Sequence, residues 1–146
     1  MGRALKSVGA VVAGFVTAGV LMMIVESING NVLYPDLAKS AEGVTDRETI
    51  RTIFASAPVG ALLVVVFGWL LGGLAGGWVA GRIAGSMRQP IVLAMLLTVA
   101  GIANNLMLPP PVWFWVATLA VVGPAALAGG KVGAGQRVSS SGVASK

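Results

Sequence analysis

The chain has no cysteine and no histidine among its 146 residues. That removes thiol nucleophiles, disulfides, iron-sulfur clusters, the common zinc sites and the usual proximal haem ligand, so no metal and no cofactor is expected. Charge is scarce too: only 10% of residues are ionised at neutral pH, ten bases against five acids. What remains is apolar, with 56% hydrophobic residues, 21 glycines and a mean hydropathy of +0.89. A chain of this size cannot hide so much oily surface in one small water-soluble core, and lipid is the predicted solvent. A net charge of +5 in a soluble protein would point to nucleic acid. Here the bases are scattered over loops rather than clustered, and membrane topology accounts for them without a nucleic-acid partner.

A hydrocarbon layer about 30 Å thick needs roughly 20 apolar residues at a rise of about 1.5 Å each. Four stretches qualify: Val8 to Val25, Ala57 to Ala80, Pro90 to Met107 and Val112 to Gly130. The first exceeds the roughly 7 to 15 apolar residues of a signal-peptide core and ends in Glu26-Ser27-Ile28-Asn29, without a small-x-small cleavage pattern. It reads as an uncleaved span. The expected fold is therefore all-α, an integral membrane four-helix bundle over 1–130, with a disordered Gly/Ser/Ala tail over 131–146.

Charge gives the bundle a direction. All five acids (Glu26, Asp36, Glu42, Asp46, Glu48) fall in the segment 26–56, whereas Arg3, Lys6, Arg82, Arg88, Lys131, Arg137 and Lys146 occupy the other connections and the ends. The positive-inside rule puts 26–56 outside and both termini in the cytoplasm. Trp113, Phe114 and Trp115 suit the outer interface and Trp78 the inner one. Within the long loop, Pro35 suits the first position of a short helix. Thr45-Asp46-Arg47-Glu48 has capping-box spacing for a helix starting near Asp46. Ile50, Ile53 and Phe54 give that helix an apolar side, to lie along the outer surface before Pro58 turns it into the second span.

The most informative motif lies in span two, where spacing by four gives two neighbouring rows, Gly68/Gly72/Gly76/Ala80/Ala84 and Gly73/Gly77/Gly81/Gly85. In lipid, close approach of backbones replaces the hydrophobic effect as a main source of helix association. Ala10, Gly14 and Ala18 of span one repeat at the same interval and offer a partner surface, and span three adds Ala94, Thr98 and Gly101. Two readings stand: both rows serve packing inside one chain, or one row is left for a second protein. A phosphate-binding loop is excluded, since no strand precedes the glycines and no GK[ST] follows.

Polar groups near the spans gather at the outer end, where Glu26, Asn104 and Asn105 can converge. Either they are helix-end residues reaching water and capping span three, or they form an external site for a cation or polar ligand. Deeper in the membrane only Thr17, Thr98 and Thr118 are polar, which leaves no proton relay. Gly123-Pro124 in span four is the one candidate for a broken helix, with a packing kink as the alternative.

The order of elements, with Gly-Gly-Trp-Val-Ala-Gly-Arg-Ile-Ala-Gly at 76–85 closing a Pro-led span and aromatics opening the last, resembles small uncharacterised four-helix proteins of bacterial inner membranes. The resemblance implies a multi-pass protein of a bacterial cytoplasmic membrane and carries no activity or site residue. From the residues themselves, a non-catalytic accessory or structural subunit is expected, with membrane lipids and other subunits or copies of itself as partners. A small channel or transporter formed by oligomerisation is the other class.

Overall fold

A computed structural model of the chain describes residues 2–143, with side chains as far as Gln136. Among these residues there is no strand. Six α-helices follow one another: α1 (Gly2–Ile28), α2 (Pro35–Ala41), α3 (Arg47–Ser56), α4 (Val59–Ala84), α5 (Arg88–Met107) and α6 (Val112–Val143), with one π-helical turn, Asn29–Leu33, between α1 and α2. Four of these elements, α1 with its π turn, α4, α5 and α6, are long and apolar enough to cross a membrane. The architecture is an all-α membrane bundle whose acidic segment folds as short helices over one end.

The spans are arranged around the two rows of α4. Consecutive residues on an α-helix lie about 100° apart, so the row through Gly72 and the row through Gly73 face two sides of a right-angled corner. α1 fills the first side: a β-carbon at Gly72 would lie 2.9 Å from the carbonyl oxygen of Ala18, and one at Gly14 would lie 2.6 Å from that of Gly76. α6 fills the second, where Gly73 faces the Val122 carbonyl at 2.9 Å and Gly77 and Gly81 meet the backbone of Ala126 and Gly130. α5 closes the bundle against α1, α4 and α6. Both rows are thus occupied by helices of the same chain, and neither is left over for the oligomer contact considered from the sequence. Gly85 belongs to neither row. It ends α4 at φ 70°, its N–H bonding the Gly81 carbonyl at 2.8 Å, a left-handed cap that glycine adopts without strain.

Two further expectations are corrected, and the broken-helix alternative for span four is decided against. The segment from Lys131 read as a disordered tail, but α6 continues to Val143; residues 144–146, including Lys146, lie outside the described residues. The reason is packing that composition hides: Gly129, Gly130, Gly133 and Ala134 lie against the backbone of α4 from Leu74 to Arg82, and the Trp78 indole donates to Gln136 at 3.0 Å. The cap of α3 is shifted by one residue from the Thr45/Glu48 box, since Asp46 is the N-cap and accepts from the Thr49 N–H at 2.8 Å and the Thr49 hydroxyl at 2.7 Å. Finally, α6 runs through Gly123-Pro124 without breaking.

The Asp46 cap carries a pH signature. Its hydrogen bonds with the Thr49 side chain and backbone hold the carboxyl below its ordinary value of 3.8. A depressed folded-state pKa contributes stability above the unfolded value and loses it as pH falls through the folded one. The first turn of α3 should therefore be intact at neutral pH and fray below about pH 4. Amide exchange at Thr49 should accelerate there, and Asp46→Ala should show the fast rate at every pH.

At the basic end, Gln89 ties α5 to α1 by donating to Ser7 at 3.0 Å while accepting from Ser86 at 2.7 Å. Outward-facing side chains of α1 such as Val8, Val12, Val16 and Met23 stay exposed, as expected of a surface that meets acyl chains.

Candidate functional site

The end that carries the acidic segment, the outer end by charge, is where polar and apolar groups come together. α1 ends there with Glu26 and Asn29 three residues apart, hence on one face. The π turn then widens the helix, with the Tyr34 N–H bonding the Asn29 carbonyl at 2.7 Å. Such single π turns are frequent at functional sites. The extra residue brings Tyr34 over Gly60 at the start of α4, where a β-carbon would collide with the phenol oxygen. α2 and α3 then fold back, so that Leu37, Ala38 and Ala41 of α2 and Ile53 and Phe54 of α3 face the bundle. The apolar side of α3 is therefore a roof over the bundle end as well as an outer surface.

Beneath this roof is a partly enclosed cavity of about 240 Å³. Its walls include Glu26, Asn29, Tyr34, Ala61, Leu62, Val65, Asn104, Asn105, Leu108 and Phe114. Glu26, Asn104 and Asn105, the three residues singled out in the sequence, line one cavity. They are not equivalent. Glu26 and Asn104 are exposed, at the rim, whereas Asn105 is 0% exposed. The T-shaped pair Trp113–Phe114, centroids 5.9 Å apart, splits the outer aromatics: Phe114 turns into the core and Trp113 stays outside.

The two buried asparagines have half of their hydrogen bonding met by protein. Asn29 Nδ2 donates to the Ala61 carbonyl at 3.0 Å, and Asn105 Nδ2 donates to Thr118 Oγ1 at 3.1 Å. The Asn29 amide cannot be turned round, and the Asn105 amide is oriented by its bond to Thr118. The Ala61 carbonyl only accepts, and the Thr118 hydroxyl already gives its proton to the α6 backbone at Phe114, 2.8 Å away. Asn29 Oδ1 and Asn105 Oδ1 are consequently the free acceptors, both buried and both without a protein partner. Burying an amide oxygen unpaired costs about 1–3 kcal/mol, so two around one cavity are not neutral features. One helical turn deeper, Trp69 packs on Gly101, its indole N–H buried and without a closed hydrogen bond, although the Glu26 carboxylate acts on it.

Sequence reading passed over Asn29, Tyr34 and Thr118. The spacing of Asn29 from Glu26 was visible, but the π turn was not. Thr118 looked like a threonine serving its own helix, as Thr17 and Thr98 do by bonding Ala13 and Ala94 at 2.8 Å each. The packing residues Gly68, Gly72, Gly73, Gly76, Gly77, Gly81, Gly14 and Ala18 lie away from the cavity, along the α4 contacts described above. Compared with models of known families, with curated proteins and with solved structures, the chain gives no match. Function has to be argued from the cavity. Below it, Trp69, Leu97 and Leu93 fill the core, and no group of three or more acids that could hold a metal ion occurs among the described residues.

Proposed function

We propose that the protein is a non-catalytic, multi-pass protein of a bacterial cytoplasmic membrane that binds a small amphipathic ligand in the cavity at its outer end. The observation that carries this reading is the pair of asparagines, Asn29 and Asn105, that line one otherwise mostly apolar cavity and whose buried amide oxygens have no protein partner. Ligand sites combine this kind of lining with a few placed polar groups, and a volume below the roughly 300–1,000 Å³ of drug-sized sites suits a small molecule. The reading is of binding rather than transport. No ionisable side chain lies in the spans between Glu26 and the basic end, and a coupled carrier keeps its polar groups at mid-depth.

The test is thermal unfolding of the protein in lipid nanodiscs against water-soluble amphiphiles of positive, negative and zero charge. A ligand at one hundred times its Kd adds about 2.7 kcal/mol of stability, a shift of several degrees. At least one probe should give such a shift, and Asn105→Leu should abolish it. Without ligand, Asn105→Leu should be as stable as the parent or more stable by about 1 kcal/mol, since it removes a half-paired buried amide at nearly constant volume. A panel without any shift would defeat the proposal. Solute flux through proteoliposomes above that of empty vesicles would replace it with the channel or transporter reading.

A second reading, an accessory subunit for other membrane proteins, is favoured by α1, which fully buries only Ala10, Gly14 and Ala18 and leaves Val8, Val12, Phe15, Val16, Val20 and Met23 exposed. Intact-mass measurement after extraction in native lipid tests it: a complex with another protein supports it, and a bare chain of 14.7 kDa counts against it.

A further inference from the structure

We infer that the ligand of the outer cavity is an organic ammonium ion with a small apolar body; this rests on the binding function proposed above and concerns the sign and shape of what is bound. The two buried polar atoms of the lining residues that lack a protein partner are both acceptors. Asn29 Oδ1 is held as the free acceptor because the Ala61 carbonyl takes its nitrogen, and Asn105 Oδ1 is the free acceptor while the Thr118 hydroxyl donates to Phe114 and takes the Asn105 nitrogen. Glu26 adds a carboxylate at the rim, and no lysine or arginine is among the lining residues. The cavity therefore asks its occupant for hydrogen-bond donors and positive charge. A carboxylate or phosphate would meet those acceptors and the Glu26 carboxylate, with only the Tyr34 hydroxyl and the Asn104 amide at the edge to donate to it.

The rest of the wall decides between an organic cation and a bare metal ion. Leu62, Val65, Ile53 and Leu108 supply apolar surface, and Tyr34, Phe54 and Phe114 supply aromatic rings. Rings attract ammonium groups through their π faces, an attraction that grows when the cation is desolvated. A calcium ion needs six to eight oxygens and a magnesium ion a near-octahedral shell, and one carboxylate with two amide oxygens falls short of either. An ammonium head uses the oxygens and its hydrocarbon part uses the rest. The roof of α2 and α3 faces the side carrying all five acids, which raises the local concentration of cations at that end.

The experiment compares three probes of matched shape on the protein in nanodiscs, by calorimetry with empty nanodiscs subtracted: 2-phenylethylammonium, 2-phenylethanol and phenylacetate. The ammonium should bind at least tenfold more tightly than the alcohol, and phenylacetate more weakly still. Glu26→Gln, which keeps the side chain's size and removes its charge, and Asn105→Leu should each weaken the ammonium at least tenfold and the alcohol little, as expected for losing a charged hydrogen bond. Equal or tighter binding of the alcohol, or ammonium binding untouched by both variants, overturns the inference while leaving a small-ligand site standing. Competition by sodium chloride at concentrations matched to the ammonium overturns the organic part. Failure of all three probes, with no stability shift in the wider panel, removes the site itself.

Discussion

Gly77→Leu is expected to abolish the folded protein. A single β-carbon at this position already enters the backbone of Ala126, and backbone cannot rotate aside as a long side chain can. Overpacking by one or two methylenes costs about 1–3 kcal/mol where the core can shift. Here the neighbour is the rigid axis of α6, and Gly73 and Gly81 hold the same two helices close on either side. Relief requires α6 to move away along its length, which forfeits the dispersion and Cα–H contacts that hold helices together where lipid supplies no hydrophobic drive. Against a total stability of about 5–15 kcal/mol, that loss leaves little folded material. Gly77→Ala should show an intermediate loss. Gly19→Leu is the control, because nothing lies within 4 Å of a β-carbon there and the side chain would enter lipid. Monodisperse yield and thermal unfolding in matched detergent read the series; Gly77→Leu behaving like Gly19→Leu would refute the close α4–α6 contact.

The second large effect concerns the core below the cavity. Trp69 is 6% exposed and its ring lies where a side chain on Gly101 would go, 2.7 Å from a β-carbon. Trp69→Ala should cost about 3 kcal/mol, at the low end for such a truncation because part of the transfer term disappears when the unfolded reference stays in lipid. Gly101→Leu should be destabilising for the opposite reason, since its branch strikes the indole. Combined, each supplies what the other lacks. The double variant should be more stable than the sum of the two predicts by about 0.5–3 kcal/mol, the range found for side chains in contact. Strict additivity would mean that α4 and α5 do not meet through this pair. Because Trp69 lies one turn below Val65 and Asn105, the truncation should also lower the affinity of any cavity ligand more than it lowers stability.

Particular residues show how far the sequence could be read. The four spans were legible because length and hydropathy are additive along the chain and need no partner. The row Gly68/Gly72/Gly76 was legible as a packing face because four-residue spacing is a property of one helix. The matching row on α6, Ala126/Gly130/Ala134, has the same spacing, yet it crosses from the span that was read as ending at Gly130 into the Gly/Ser/Ala-rich stretch from Lys131 that composition alone reads as disorder. What orders it is α4, a partner that the tail's own residues do not contain. The convergence of Glu26, Asn104 and Asn105 was visible as three polar groups at one end. That Asn105 faces inward and Asn104 outward depends on the rotation of α5 against α6, set by the Asn105–Thr118 bond and by Phe114.

By itself, then, the sequence determined the number of apolar spans and the glycine surface of α4, since each follows from local composition or from the period of a single helix. Only the tertiary structure decided that both glycine rows are filled from within the chain. It also decided that α2 and α3 close over the bundle, and that two asparagines with unpartnered, buried amide oxygens line one cavity. Those are statements about which helix stands beside which, and they depend on contacts between segments far apart in the chain, where no single stretch of residues holds the information.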